Sequence, residues 1–506
     1  MSEYSWLNSD SRTFLSRGYL SEGQTPEQRI KEISNHAEKV LGIKGFASKF
    51  EGFMKQGFYS LSTPVWVNFG KEKGLAISCF GTSIDDNSDS ILNAGREIGM
   101  MSKYGGGTSA FLGHIRPRGS KISIGGFADG PVHYARIYDT IVDVFKQSET
   151  RRGSCAVYLP IEHKDINEFL DIGIEGNPIQ NLQYGVTITD DFMKSMIAGD
   201  SDKRKTWAKI IQRRSEFGFP YLFFKDTVNN NSPYKRLGLT IEHSNLCSEI
   251  ALPNDTFNSF VCCLGSINLL HWDEIEKTDA IETYVQFLNA VISDFVSKSE
   301  TLPGMKRAWR FAKDHRAIGL GVLGYHSYLQ SKLIEFDSLE AKQANHKIFK
   351  TLKERSDNAS QWCHDALGIK SIRTGYANTT LLAIAPTKSS SYILGQVSMG
   401  IEPIKSNYFV KDLAKIKTVY KNPALVTELD KYGLNNPDVW ASILKNDGSV
   451  QHLDFPTKEV FKSFIEITPK EIILQAAQRQ KFIDQSQSVN ITIHPSVPAK
   501  EINKLY

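Results

Sequence analysis

The feature that most constrains the fold of this chain is an alternation between apolar stripes of helical period and short runs of β-forming residues. Stripes with apolar side chains every three or four positions recur over about 88–102, 133–147, 190–216 and 338–366. Short β-rich runs, AISCFGTSI from Ala76 and YGVTIT from Tyr184, lie between them. This pattern predicts a mixed α/β class. One helix start is explicit: Thr25 reads as the N-cap and Pro26 as the first helical residue, with Ile30, Ile33, Ala37 and Val40 on one face. The chain has 506 residues, 41% of them hydrophobic, enough for a large core. No solenoid-period repeat is visible. We expect an N-terminal helical region over 1–75 leading into one large domain over 76–506. The polar stretch Asp226–Glu242 reads as a loop, and 404–455 as surface helices and loops.

The formal charge of +4, from 60 Lys plus Arg against 56 Asp plus Glu, favours neither nucleic acid nor a membrane surface. Six cysteines are spread thinly without a C-x-x-C pair, so neither a disulfide framework nor a zinc ribbon is expected. The N-terminus lacks the basic start and apolar run of a signal peptide. No stretch approaches the ~18–20 apolar residues of a membrane span. The expectation is a soluble protein of the reducing cytoplasm, with no metal site.

Two glycine clusters and a hydroxyl-rich turn invite phosphate readings, while Lys146-Gln-Ser-Glu-Thr-Arg151-Arg152-Gly153-Ser154 alone reads as a solvated loop. Gly319-Leu-Gly321-Val-Leu-Gly324 fits G-x-G-x-x-G, but it follows the helical-looking stretch Met305–Ala317 rather than a strand. Close packing of a helix in the core is therefore preferred to a dinucleotide site. Tyr104-Gly105-Gly106-Gly107 precedes the basic turn His114-Ile-Arg116-Pro-Arg118. It could let backbone approach a ligand, or it could be a tight connection. Pro386-Thr387-Lys388-Ser389-Ser390-Ser391 follows the apolar run LLAIA, so it could offer hydroxyls and amides to an anion or form an ordinary Ser-rich N-cap.

The sharper signal is Ser244-Asn245-Leu246-Cys247-Ser248-Glu249-Ile250. Read as an extended segment, its alternation places an amide, a thiol and a carboxylate on one face. A thiol between a hydrogen-bonding amide and a general base is a catalytic arrangement, whereas a lone buried cysteine in a strand is inert packing.

Asn245-Leu-Cys247-Ser-Glu249-Ile-Ala-Leu-Pro resembles the active-site finger loop of class I ribonucleotide reductase large (alpha) subunits. The resemblance covers nearly the whole chain. It takes in Ser62-Thr63-Pro64, Ser78-Cys79-Phe-Gly81, the Gly105 and Arg152 loops, Cys262 with Asn268-Leu269, Thr387–Ser391, Gly400-Ile-Glu402-Pro403 and Gln480–Ser486. It implies a ten-stranded α/β barrel around a central finger loop, reducing ribonucleoside diphosphates to deoxyribonucleoside diphosphates.

On this resemblance Cys247 carries the transient thiyl radical, Glu249 is the general base and Asn245 hydrogen-bonds the substrate. Cys79 and Cys262 supply the reducing equivalents and end as a disulfide, with Cys263 a bystander. Thr63, Ser78, Gly105 and the Thr387, Lys388, Ser389, Ser390, Ser391 loop hold the ribose and diphosphate. Asp86, Arg116 and Arg152 belong to the site for a deoxynucleotide or ATP specificity effector. The implied partners are a small (beta) subunit holding the metal-radical cofactor, a second copy of the large subunit, and thioredoxin or glutaredoxin as reductant. The implied setting is a bacterial or virus-infected host cytoplasm.

Three departures qualify the resemblance. No ATP-cone precedes Thr25, so overall control by ATP and dATP is expected to be missing. Lys388 stands where relatives often carry an acidic or small residue. Class I relatives continue past a segment like PAKEINKLY to a Tyr-Tyr pair and a C-terminal cysteine pair, neither of which occurs here. The expectation is a large fragment of a split subunit, lacking the barrel's C-terminal end and completed by a second polypeptide. The alternatives are a cobalamin-dependent reductase or a non-catalytic nucleotide-binding fragment or regulatory subunit.

Overall fold

The computed structural model of the chain describes residues 3–145, 153–413, 416–494 and 496–506. Eight strands form one curled sheet: β1 (Tyr59–Leu61), β2 (Cys79–Ser83), β3 (Gly107–Phe111), β4 (Cys155–Pro160), β5 (Leu182–Ile188), β6 (Tyr221–Phe224), β7 (Phe260–Asn268) and β8 (Ile318–Leu323). β2 to β6 lie side by side in parallel. Parallel neighbours cannot be joined by a tight turn, so helices make the crossings. Ser88–Lys103 runs between β2 and β3, and Pro131–Val144 between β3 and β4. Asp190–Ala198 and Ser201–Phe217 run between β5 and β6. Strands covered on both faces read as continuous apolar runs, as in CAVYLP of β4.

β7 reverses the direction. Its N-terminal end pairs antiparallel with β2, residues 265–267 pair antiparallel with β1, and its length from Cys263 pairs in parallel with β8. Bridges Leu320↔Leu382 and Ile384↔Gln487 then add the extended segments around 382 and 487 beyond β8. The row thus runs from β6 through β2, β7 and β8 to the segment at 487, and these two ends face each other across a cavity of about 710 Å³. This is the expected barrel wall with one seam open.

Most of the expected helices form. Thr25 and Gln28 make a reciprocal capping box on the helix Pro26–Leu41, which Gly42 ends in the left-handed conformation. The stripe over 190–216 divides in two, because Gly199 turns left-handed and Asp200 recaps the chain by accepting from the amides of Asp202 and Lys203. The N-terminal region is mainly helical, but β1 joins the sheet, and its apolar residues share one core cluster with β2, β7 and β8.

Three expectations need correction. Asp226–Glu242 is not all loop: Lys225–Asn231 is helical and Pro233–Leu237 is a 3-10 turn, held because Asn229 caps Ile241 from both its amide atoms. The region 404–455 contains a hairpin, β9 (Tyr408–Leu413) and β10 (Ile416–Lys421), before its helices Pro423–Lys431 and Pro437–Lys445. Gly319 and Gly321 lie in strand β8 rather than in a helix. Close packing is nonetheless their reason: a Cβ on Gly321 would stand 2.6 Å from the Ala383 carbonyl oxygen, and one on Gly319 would stand 3.3 Å from Cys262 Sγ.

Gly321→Ala should therefore force β8 away from the segment at 382 and lower stability by about 1–3 kcal/mol. Urea unfolding checks this; an unchanged midpoint would mean that the neighbouring backbone yields freely.

Candidate active site

The site is built on the register between β2 and β7, in which Cys79 lies directly opposite Cys262. Opposed residues of an antiparallel pair project to the same face, at a spacing of ~4.5–5.5 Å between Cα atoms. That spacing lies within the range a disulfide accepts. Both side chains are buried, and burial raises both thiols well above the ordinary cysteine range, with the Glu249 charge adding to the rise at Cys79.

Above this pair sits the loop Ser244–Ala251. It is closed by the bridge between Ser244 and Ala251 and by the Ser244 hydroxyl donating to the Ile250 carbonyl at 2.6 Å. The expected extended segment is instead a tight turn, since Ser248 takes the left-handed conformation at φ 66°. The turn still collects the three side chains. Asn245, Cys247 and Glu249 line one pocket, while Ser248 faces the seam cavity on the other side. Asn245 Oδ1 accepts from the Ile250 amide at 3.2 Å, and its Nδ2 donates to Cys79 Sγ at 3.2 Å. From behind, the Tyr158 hydroxyl donates to the Asn245 carbonyl at 2.7 Å.

Glu249 is 1% exposed; Cys79 Sγ stands 3.9 Å from its Oε1, and its Oε2 has no partner. Burial raises this carboxyl from its ordinary value to about 7. A carboxyl poised near neutrality can take and return a proton under physiological conditions.

The pocket holds about 230 Å³. Thr63, Ser78, Cys79, Thr387, Lys388, Ser389 and Ser390 line it, as expected from the sequence. Thr387 adopts φ 46°, and its hydroxyl accepts from the Gly400 amide at 2.8 Å, so the Gly400–Pro403 motif braces this turn. Ser391 does not join the pocket: it is buried, and its hydroxyl is spent on the Val397 carbonyl. Nor does Gly105, which forms a left-handed turn; Gly107, at the start of β3, lines the pocket instead. Sequence reasoning also missed Ser60 on β1, Ser62 and Ser266. Ser62 directly precedes Thr63 in the sequence, while Ser60 and Ser266 are brought in by the β1–β7 pairing. The hydroxyls of Ser62 and Ser78 are shielded and have no hydrogen-bond partner.

Asp86 and Arg116 pair with each other, Nε donating to Oδ2 at 2.6 Å. Arg152 lies outside the described residues. Among the described residues no cluster of three or more His, Cys, Asp or Glu side chains could hold a metal ion, and no helix is long and apolar enough to cross a membrane.

Residues 77–203, 200–363 and 353–506 match the family of the ribonucleotide reductase barrel domain. The chain belongs to the ribonucleotide reductase family. It is similar to the putative ribonucleoside-diphosphate reductase large subunit of Frog virus 3 (isolate Goorha), with 34% identity over 90% of this chain and 84% of the relative. It is also similar to the ribonucleoside-diphosphate reductase large subunit of Invertebrate iridescent virus 3, with 31% identity over 97% of this chain and 90% of the relative. Among solved structures, the Actinobacillus ureae class Id ribonucleotide reductase alpha subunit superposes with a TM-score of 0.94 at 52% identity, covering 99% of this chain and 94% of that one. These matches make this reductase a class I large subunit.

The carboxyl of Glu249 in the reductase should titrate near pH 7. Infrared difference spectra across pH 5–9 should show a carboxylic C=O band disappearing around that midpoint, and Glu249→Gln should remove it. A band already absent at pH 5 would contradict the buried, neutral-poised carboxyl.

Proposed function

We propose that this reductase converts ribonucleoside diphosphates to 2′-deoxyribonucleoside diphosphates by thiyl-radical chemistry at Cys247. The observation that carries the reading is the facing of Cys79 and Cys262 across β2 and β7, beneath a loop that brings Cys247, Asn245 and Glu249 to the same pocket. Diphosphate and ribose bind through Thr63, Ser78, Ser389 and Ser390, with Lys388 adding a positive charge. Cys247 as a thiyl takes the 3′ hydrogen atom and later returns it. A weak S–H bond suits this exchange in both directions. Glu249 takes the 3′ hydroxyl proton, and Asn245 hydrogen-bonds the substrate. As the 2′ hydroxyl leaves as water, Cys79 and Cys262 give up two electrons and two protons and join as a disulfide.

A metal-radical cofactor held by a small subunit would supply the oxidising equivalent that makes Cys247 a thiyl. Thioredoxin or glutaredoxin returns the disulfide to thiols. A deoxynucleotide or ATP effector binds near Asp86, Arg116 and Arg152 and biases the choice of base. A second copy docks on the helices Ser88–Lys103 and Pro131–Val144, whose exposed Leu92, Ile137 and Val144 favour such burial.

The seam between β6 and the segment at 487 receives an extended segment with the Tyr-Tyr and cysteine pairs. Edge backbone on both sides of the cavity supports this, because unpaired strand edges template another strand. The chain is read as an N-terminal helical region over 1–75 and a barrel over 76–506, working in a bacterial or virus-infected host cytoplasm.

The test is deoxynucleotide formation by the complex with small subunit and reductant. Cys247→Ser should abolish product while leaving nucleotide binding intact. With Glu249 as base, kcat/KM should fall as pH drops below about 7, and Glu249→Gln should lower kcat by about 10²–10⁴-fold. Full turnover by Cys247→Ser would contradict the thiyl assignment.

A further inference from the structure

The segment Gln480–Ser486 approaches the site without touching the pocket, and its central side chain connects three elements at once. Gln485 is 5% exposed. Its Nε2 donates to the Ile318 carbonyl on β8 at 3.0 Å and lies 3.8 Å from Cys262 Sγ, within N–H···S range. Its Oε1 accepts from the Ala251 amide, where the finger loop returns, at 3.3 Å. The backbone is held as well: the Gln485 amide donates to the Leu382 carbonyl at 3.2 Å, and the Gln480 side chain donates to the Gln485 carbonyl at 2.9 Å. The amide is therefore not free to turn away from the thiol. Across the sheet, Asn245 Nδ2 stands in the same relation to Cys79, at 3.2 Å. Each thiol of the facing pair thus meets one side-chain amide, and both amides also hold the finger loop.

We propose that Gln485 is a positioning residue that holds Cys262 beneath the finger loop and biases the Cys79–Cys262 couple toward its reduced form. An N–H donor interacts most strongly with a thiolate, less with a thiol and least with a disulfide sulfur. Stabilising the dithiol makes the disulfide easier to reduce. The bond at Ala251 ties this preference to the loop that carries Cys247. The inference rests on the reading of Cys79 and Cys262 as the redox pair.

The couple is tested on the full chain alone, in buffers of reduced and oxidised dithiothreitol at fixed pH. One protein disulfide forms as one oxidised dithiothreitol takes up two electrons and two protons. Acid quench, alkylation and peptide mass spectrometry report the Cys79–Cys262 bond. In Gln485→Met, which keeps the size and loses the amide, the equilibrium should move toward the disulfide by about threefold to tenfold. Tenfold corresponds to a potential more negative by ~30 mV.

Gln485→Glu keeps an acceptor for the Ala251 amide but has no N–H for Cys262, so it should shift the couple in the same direction. It carries the test if the methionine variant does not fold. A general loss of packing would lower the unfolding midpoint and leave the couple where it was. Folded variants with the wild-type equilibrium would overturn the role of Gln485. Failure of the wild-type chain to form a Cys79–Cys262 bond would overturn the redox-pair reading itself, and the inference with it.

Discussion

The site depends on the antiparallel register of β2 against β7. Shifting that register by one residue would turn Cys79 or Cys262 to the opposite face of the sheet. Both strands are buried throughout, and the register seats the Phe260 ring directly over Gly81, where a Cβ would stand 2.1 Å from it, so a slip would drive the ring into a neighbouring side chain. β2 also begins the parallel row to β6, and β7 the row through β8 to the segment at 487. The thiol pair therefore lies where the two halves of the wall meet. Displacing either half against the other would separate the two thiols.

On this platform the finger loop resolves a conflict between burial and chemistry. Asn245 and Glu249 are nearly inaccessible, yet both must be polar. The asparagine is satisfied by the Ile250 amide and by Cys79, whereas one oxygen of Glu249 is left without a partner. Burial raises the carboxyl toward neutrality, and the hydrogen bonds from the backbone, Asn245 and Cys79 offset it only in part. The left-handed Ser248 carries the chain around the turn, so that Cys247 lines the smaller pocket while Ser248 lines the seam cavity behind it.

Much of this was legible in the residues, and the failures have identifiable causes. Long amphipathic helices such as Ser88–Lys103 and Leu339–Leu367 follow from period alone, because one apolar face dictates them. The extended reading of 244–250 failed because nothing in residue type marks Ser248 for a positive φ; the surrounding bonds impose it. Ser391 looked like part of an anion-binding run, yet its hydroxyl closes the turn from within. The glycines of β8 were read correctly as close packing but in the wrong element, since a short apolar run does not distinguish helix from strand. The facing of Cys79 and Cys262 came from family resemblance, because no local pattern relates residues so far apart in the chain.

The central claim is that the two facing thiols supply the electrons for ribose reduction, and one measurement addresses it directly. The pre-reduced complex with its small subunit is given ribonucleoside diphosphate without external reductant and quenched after a single turnover. The account predicts one Cys79–Cys262 disulfide, mapped by peptide mass spectrometry, for each deoxynucleotide formed. Product accumulating while Cys79 and Cys262 remain as thiols, or with the bond formed instead at Cys263 or Cys155, would contradict it.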